Sequence, residues 1–378
     1  MFVLSTTNKE ARRLMIILVQ PAQPDYRLGF ISALREEYGA ELCLAVGNRR
    51  MDATVTTSLN IASDIPTKTL VLGPALIQWG ALRAALRADV AVLDLNPRNA
   101  STWIALVCRS ILRRPSIVWG HGSSRSTRAG RLSRALRMSQ VALSNAVLVY
   151  TETEAIELRA RSQMDGRPGG RMVLAMHNAT SSALDMHPNL AQTTRPSFVV
   201  SGRLVEPKRP LLALRAYALA LSQGLPPQVR LIFIGDGPLR SDLERLVAEL
   251  SLCESVDIMG PVWDIDALRD CHVGCIAGIS PGYAGLNVIQ SLGFGTRVLV
   301  ADDEPHAPEI EAVHVGQNGD FFEARSDDAL AQKMLQYAQS SWSDQDRVAL
   351  AENTGSLYSV EHMAESFRAA VSFAGADR

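Results

Sequence analysis

The sequence is poor in lysine. Its 38 basic residues include four lysines (Lys9, Lys68, Lys208 and Lys333), so arginine carries almost all of the positive charge. No apolar run approaches the ~18–20 residues that cross a bilayer as a helix, which argues against a helical membrane span. Arg12 and Arg13 precede an apolar stretch of only Met15 to Val19. That is too short for a secretory core and reads as a first strand, so a cytoplasmic location is expected. Five cysteines, at 43, 108, 253, 271 and 275, are an odd number without framework spacing. They read as reduced thiols, and Cys271 and Cys275 as buried structural residues. No G-x-G-x-x-G occurs, which leaves a dehydrogenase site without support. No G-x-S-x-G precedes a helix, so a nucleophilic serine is not expected. Asp302-Asp303-Glu304 is an acidic run, but adjacent loop residues do not converge on one ion, and no metal or other cofactor is expected.

Acids are missing from one region altogether. Between Asp94 and Glu152 there are none, against nine arginines: 98, 109, 113, 114, 125, 128, 131, 134 and 137. The last five step by three, which on a helix makes a slowly drifting stripe. Leu132, Leu136, Val141 and Leu143 lie among and beyond them. The stretch from Arg109 to Arg137 is therefore expected to meet an anionic membrane surface, with a plain solvated face as the alternative and nucleic acid disfavoured. Residues 1–190 hold 23 basic and 14 acidic residues, and 191–378 hold 15 and 25, so the net charge of −1 conceals a basic half and an acidic half.

What is abundant is alternation. Short apolar runs at Met15–Gln20, Leu42–Val46, Thr69–Gly73, Val90–Leu95, Ser116–Trp119, Val147–Tyr150 and Met172–Met176 read as strands. Helical periodicity fills the gaps near 27–38, 76–87, 100–112, 124–144 and 153–163. Asn178 to Pro196 has no clear period and reads as a linker. The pattern restarts with strands at Phe198–Ser201, Val229–Ile234, Val256–Met259, Val273–Ile279, Arg297–Ala301 and Gly319–Phe322. Helices are expected near 210–222, 238–250, 264–270, 285–294, 305–313 and 327–340, with a last one over 359–373. This is α/β: two doubly wound parallel sheets in a chain too long for one core. The expected domains are 1–190, 191–355 and a C-terminal helix at 356–378.

Ligands of such sheets lie beyond the carboxyl ends of the strands. The stretch Ser280 to Arg297, SPGYAGLNVIQSLGFGTR, runs from a strand through a tight loop to a helix opened by Gly285. A helix N-terminus there suits an anion such as a diphosphate. Gly202-Arg203-Leu204-Val205-Glu206-Pro207-Lys208 follows another strand end, and its Arg203 and Lys208 suit the same group. The strand of Arg230 to Leu239, RLIFIGDGPL, turns tightly at Gly235-Asp236-Gly237.

GRLVEPK, FIGDGPLRSDLE, GLNVIQSLGFGTRV and PEIEAVHVGQNG, in this order, resemble the C-terminal half of glycosyltransferase family 4. The resemblance is good over about 197–335 and looser elsewhere. It implies the GT-B fold, two Rossmann-like domains with parallel sheets, with the donor nucleotide sugar held mainly by the second and the C-terminal helix crossing back to the first. It also implies roles: Arg203 and Lys208 on the donor diphosphate, Gly202 and Gly235 in donor-binding loops, Gly285 and Leu286 meeting phosphate and sugar by backbone, and Glu309 near the donor sugar. The family brackets this stretch with two glutamates. Here those positions are Gly282 and Gln290, so both acids are missing; Gln290 can still bond ribose hydroxyls.

In the first half, Ile117 to Gly122, IVWGHG, presents His121 at a strand end, suited to a donor sugar or an acceptor hydroxyl. Tyr26, Arg27 and Arg98 follow strands in the same way and are acceptor-side candidates, Arg98 for an acceptor phosphate. The catalytic set is thus His121, Arg203, Lys208 and Glu309. The resemblance implies a retaining glycosyltransferase acting on a nucleotide diphosphate sugar, and we expect a lipid-linked or polysaccharide-precursor acceptor at an inner membrane face. The lost glutamates keep open a catalytically inactive scaffold subunit of a glycan-assembly complex. A nucleotide-sugar epimerase is a weaker alternative.

Overall fold

The computed structural model describes residues 14–51, 56–122, 131–162, 170–193 and 195–376. Arg125 and Arg128 of the basic run lie outside them. The chain divides into two compact units: Met1–Ala175 with Ala364–Arg378, and Met176–Met363.

In the first unit, strands β1 (Ile16–Gln20), β2 (Leu42–Val46), β5 (Val90–Asp94), β6 (Ser116–Trp119), β7 (Ala146–Val149) and β8 (Met172–Ala175) form one parallel sheet in the order β2-β1-β5-β6-β7-β8. Their apolar runs are continuous and not alternating because helices cover both faces; β1 is buried along its whole length. Helices α1 (Leu28–Tyr38), α3 (Ala100–Ile111), α4 (Arg131–Ala142) and α5 (Glu152–Ser162) connect the strands. The later part of α12 (Val360–Ala376) belongs to this unit. Its Phe367 ring packs edge-on against Phe30 at 5.9 Å, and Arg368 donates to Glu37 at 3.0 Å.

Two expectations fail here. The run at 69–73 is not in the parallel sheet. It is β3 (Lys68–Leu72), paired antiparallel with β4 (Ala75–Trp79) as a separate hairpin. The helix expected over 76–87 splits into β4 and α2 (Leu82–Arg87), because Gly80 between them has φ +102°. A Cβ there would lie 2.2 Å from the Pro66 carbonyl oxygen.

Arg109 departs from a third expectation. It is fully buried and not part of any basic surface. Its guanidinium donates to Ser116 Oγ at 3.0 Å, the Ala88 carbonyl at 2.9 Å and the Asp89 carbonyl at 3.1 Å, and also to the carbonyls of Ala85 and Pro115. Ala85 and Ala88 stand at the C-terminal end of α2, where carbonyls have no intrahelical donor. An arginine fork satisfies several of them together, which explains a buried charge in an apolar layer.

The second unit repeats the plan. Strands β9 (Ser197–Ser201), β10 (Arg230–Ile234), β11 (Val256–Gly260), β12 (Cys275–Ser280), β13 (Val298–Ala301) and β14 (Gly319–Phe322) form a parallel sheet in the order β11-β10-β9-β12-β13-β14. It is flanked by α6 (Pro210–Ser222), α7 (Arg240–Glu249), α8 (Ile265–Asp270), α9 (Leu286–Gly293) and α10 (Asp327–Gln339). The helix expected near 305–313 is a short 3-10 helix, Pro308–Ala312. A helix the sequence reading missed, α11 (Asp344–Tyr358), begins with a capping box between Ser343 and Asp346. It escaped notice because its buried face, Leu350, Ala351, Thr354, Gly355 and Tyr358, mixes small and polar residues and leaves a weak apolar period.

Candidate functional site

In the second unit the chain runs outward through β9, β10 and β11, then returns to the other side of β9 with β12. The strand order reverses between β9 and β12, and the crevice beyond their carboxyl ends is where open sheets bind ligands. Three loops meet there: the one after Ser201, the one after Ile234 and the one after Ser280.

Glycine brings two of them together. Gly235 has φ +135°, and a Cβ on it would lie 2.0 Å from the Gly202 carbonyl oxygen. Gly202 N donates to the Ile234 carbonyl at 2.9 Å, and Leu204 N to the Asp236 carbonyl at 2.9 Å. Lys208 then swings back across Gly202. A Cβ on Gly202 would sit 3.9 Å from Nζ.

The third loop is pinned to the first. Tyr283 N donates to the Pro207 carbonyl at 2.8 Å. At that approach a Cβ on Gly282 would lie 2.3 Å from the Pro207 oxygen. This is a physical reason for the missing acid: the backbone of 206–208 occupies the space where a side chain at 282 would start. The loop is also stapled from behind by His306, whose Nδ1 accepts from Ala284 N at 3.0 Å while Nε2 lies 2.8 Å from the Ala301 carbonyl.

Asn287, in the first turn of α9, is the hub that sequence reasoning missed. Its Oδ1 accepts from Lys208 Nζ at 3.3 Å and from Gly285 N at 3.1 Å, and its Nδ2 donates to Ser280 Oγ at 2.7 Å. One amide therefore holds the ammonium, the loop and the strand end. Its sequence signal was weak: an asparagine inside a helix opening, where apolar residues carry the pattern. The ammonium also lies 5.2 Å from the Tyr283 ring centroid. Burial, and then the neighbouring Arg203, pull Lys208 down from 10.5 to about 8, with Glu309 acting in the opposite direction. Arg203 itself is exposed. Among the described residues, Glu309 is the carboxylate that acts on Lys208.

Glu309 is 3% exposed. Its Oε1 accepts from Asn178 Nδ2 at 2.6 Å. Its Oε2 is buried and, among the described residues, has no hydrogen-bond partner, and a Cβ on Gly285 would lie 4.0 Å from it. Asn178, the first residue of the expected linker, thus holds this carboxylate. Leu286 is the first residue of α9, where helical N–H groups lack intrahelical acceptors. Gln290 lies one turn further on, with Ser201 Oγ donating to its Oε1 over a long 3.5 Å. The structure therefore gathers Gly202, Arg203, Lys208, Gly235, Gly285, Leu286, Gln290 and Glu309 about one strand-end crevice.

The first-unit candidates lie beyond the ends of β1, β5 and β6. His121 is half-buried, with its ring 4.7 Å from Tyr150 and its Nδ1 3.8 Å from the Glu154 carboxylate. Arg27 is not presented to solvent. It is 1% exposed, with its guanidinium 4.6 Å from the Trp119 ring and 5.4 Å from the Tyr26 ring. Tyr26 is half-buried and Arg98 is exposed on a turn. Among the described residues, no group of three His, Cys, Asp or Glu could hold a metal ion.

Residues 183–355 match the family model described as "Glycosyl transferases group 1". A Campylobacter jejuni protein named N-acetylgalactosamine-N,N'-diacetylbacillosaminyl-diphospho-undecaprenol 4-alpha-N-acetylgalactosaminyltransferase is 29% identical over 120 residues. That match spans 31% of this chain and 31% of the relative, so less than a third of the relative's length is covered. Among solved structures, Anabaena HepE in complex with UDP is similar with TM-score 0.61 and 15% identity, over 95% of this chain and 100% of that one. Sucrose-phosphate synthase from Thermosynechococcus elongatus gives TM-score 0.61 and 16% identity over 96% and 100%. The lipopolysaccharide outer core galactosyltransferase WaaB gives 0.59 and 12% over 95% and 99%. These likenesses establish the fold, and it is the GT-B fold.

Proposed function

We propose, for a chain that carries a glycosyl transferases group 1 domain at 183–355 on a GT-B fold, that it moves a sugar from a nucleotide diphosphate sugar to a hydroxyl of a lipid-linked or polysaccharide-precursor acceptor. The observation that carries this reading is the cluster of Lys208, Asn287 and Gly285 facing the buried, half-satisfied carboxylate of Glu309. The nucleotide and acceptor classes are drawn from relatives. HepE is described with UDP, and the Campylobacter protein is named for a diphospho-undecaprenol substrate.

In this reading the diphosphate sits beyond β9 and β12. Lys208 and Arg203 neutralise charge as it builds on the leaving oxygen, and the first N–H groups of α9 add a fixed dipole. No metal is required for that neutralisation. Glu309 Oε2 accepts from a hydroxyl of the donor sugar and fixes its pose, while Asn178 keeps the carboxylate aimed. A departing diphosphate oxygen takes the acceptor proton on the same face, which retains configuration at the anomeric carbon.

Glu309 also bears on the scaffold alternative. A buried carboxylate oxygen without a donor costs about 1–3 kcal/mol or more. A subunit without sugar chemistry gains nothing from carrying it. Membrane contact, in the same proposal, falls to exposed residues of α4 within the basic region: Arg131, Leu132, Arg134 and Leu136, with Leu132 73% exposed. Among the described residues no helix is long and apolar enough to cross a membrane.

The test is release of nucleoside diphosphate from UDP-sugars, with and without a polyprenyl-diphosphate-linked acceptor, by wild type and by Lys208→Ala. Acceptor-dependent release that Lys208→Ala abolishes while remaining folded supports the proposal. Equal turnover by the folded variant removes Lys208 from the diphosphate. An epimerised sugar formed without acceptor would replace transfer with epimerisation.

A further inference from the structure

Two strained arginines meet one buried carboxylate in the second unit. Arg209 has φ +50° and Arg325 has φ +65°, both left-handed. Residues other than glycine hold that conformation at a cost, and keep it where their surroundings over-determine it. The common partner is Glu304, whose side chain is 7% exposed. Its carboxylate lies 2.9 Å from Arg209 Nη2 and 3.7 Å from Arg325 Nη2. The closer pair is held by charge and not by an aligned hydrogen bond. Arg209 caps α6 directly after Lys208, Glu304 follows β13 and Arg325 follows β14.

The acidic run at 302–304 therefore diverges. Asp302 Oδ1 accepts from Asp303 N at 2.6 Å and from Ala324 N at 2.9 Å, Asp303 is exposed, and Glu304 reaches back to the loop after β9. The same stretch carries His306, which holds Ala284 N, and Ala307, whose N donates to the Ala284 carbonyl at 2.9 Å. It thus touches both the loop of Lys208 and the loop of Gly285. The turn at 205–209 fixes its own shape: Lys208 N donates to the Val205 carbonyl at 2.9 Å, and Arg209 N to the Glu206 carbonyl at 3.1 Å. The pair with Glu304 fixes where that turn stands. A Cβ on Gly282 would lie 3.1 Å from Arg209 Cγ, so the arginine stem covers this glycine on its way to Glu304. A glycine at 209 would take φ +50° without strain. The backbone therefore does not account for an arginine there, and the side chain does.

We propose that Glu304 and Arg209 are positioning residues of the donor site: their ion pair is a strut that holds 206–209 closed on the Gly282 loop and keeps the Lys208 ammonium against Asn287. The role in donor binding rests on the diphosphate reading of Lys208 above; the strut itself rests on these contacts alone.

Lysine titration by NMR on the full chain tests it without a nucleotide. The sequence has four lysines, so carbon labelling at lysine Cε gives four signals, and Lys208→Met assigns the one in question. Wild-type Lys208 should titrate at about 8. The variants are Glu304→Gln and Arg209→Gly, the second of which keeps the left-handed backbone free of strain. In both, the Lys208 midpoint should rise to about 9 or above as the ammonium gains water. Charge alone would push the two variants in opposite directions, since losing an acid lowers a lysine and losing an arginine raises it, so a rise in both reports movement. The UDP dissociation constant at pH 7 should weaken about tenfold in both, the scale of a displaced charged hydrogen bond. A merely structural pair would lower the melting temperature and leave the midpoint where the wild type has it. That result, or a midpoint that falls, in either folded variant overturns the proposal. A raised midpoint in both with unchanged UDP affinity upholds the strut and removes Lys208 from the diphosphate, which sinks the donor reading instead.

Discussion

Lys208 supplies a prediction with a sign and a size. Its ammonium is held down to about 8 by burial and by Arg203, against an ordinary value of 10.5. A diphosphate placed beside it restores the charged form, so binding must take up a proton wherever the free enzyme has lost one. At pH 7 about nine-tenths of the free enzyme is protonated and at pH 9 about nine-tenths is neutral. The dissociation constant for a nucleoside diphosphate should therefore weaken about tenfold from pH 7 to pH 9, or ~1.4 kcal/mol. Isothermal calorimetry at pH 9 in buffers of different ionisation enthalpy should show about 0.9 proton taken up per nucleotide bound, and about 0.1 at pH 7. Lys208→Met is the control. It should bind more weakly at pH 7 and lose the pH dependence, which also subtracts any titration of the nucleotide itself. Without nucleotide the sign reverses. The unfolded chain binds more protons than the folded one between about pH 8 and 10.5, so wild-type stability should rise through that window. The destabilisation is fully present below about pH 8 and amounts to ~3 kcal/mol at most. Lys208→Met should then melt at or above the wild-type temperature at pH 7. A flat dissociation constant from pH 7 to 9, or a pH dependence that survives in Lys208→Met, refutes the assignment of this ammonium to the diphosphate.

Other expected outcomes follow from the same contacts. Glu309→Gln should keep nucleotide binding but lose roughly 10²–10³ in turnover, measured as kcat beside a directly titrated Kd. Restoring the family's acid with Gly282→Glu should lower the unfolding free energy by about 1–3 kcal/mol in a urea melt and gain no activity, because its Cβ meets the Pro207 carbonyl. Arg109→Ala should cost about 3–5 kcal/mol in a urea melt, since it leaves several buried carbonyls unpaired. Leu132→Asp with Arg134→Ala should leave that melt unchanged and reduce co-sedimentation with vesicles rich in anionic lipid; retained sedimentation would remove α4 as the membrane face.

Strands were legible where residues are buried on both faces. Ile16–Val19, Val90–Leu93 and Leu299–Ala301 are continuous apolar runs because the sheets are covered on both sides. Helices were legible where one stripe is apolar, as in α7 and α10. Gly80 shows the limit. Its turn breaks a run that has helical spacing on paper, and the backbone contact with Pro66 that demands a glycine joins separate segments. Arg109 shows another: an arginine in a stretch without acids reads as surface until the carbonyls it caps are brought next to it.

The sequence by itself determined the two α/β units, the order of the motifs and the identity of the charged pair after β9. Those depend on local periodicity and on residues close in the chain, where spacing is geometry. Only the tertiary structure decided how the opening of α9 works. Lys208 is 79 residues from Asn287, and Asn178 is 131 from Glu309. Contacts of that separation have no signature in a single sequence, because either partner alone is an ordinary polar residue. The same holds for Gly282. On paper it is a lost acid; in the fold it is the one residue that lets the Pro207 backbone close against the loop.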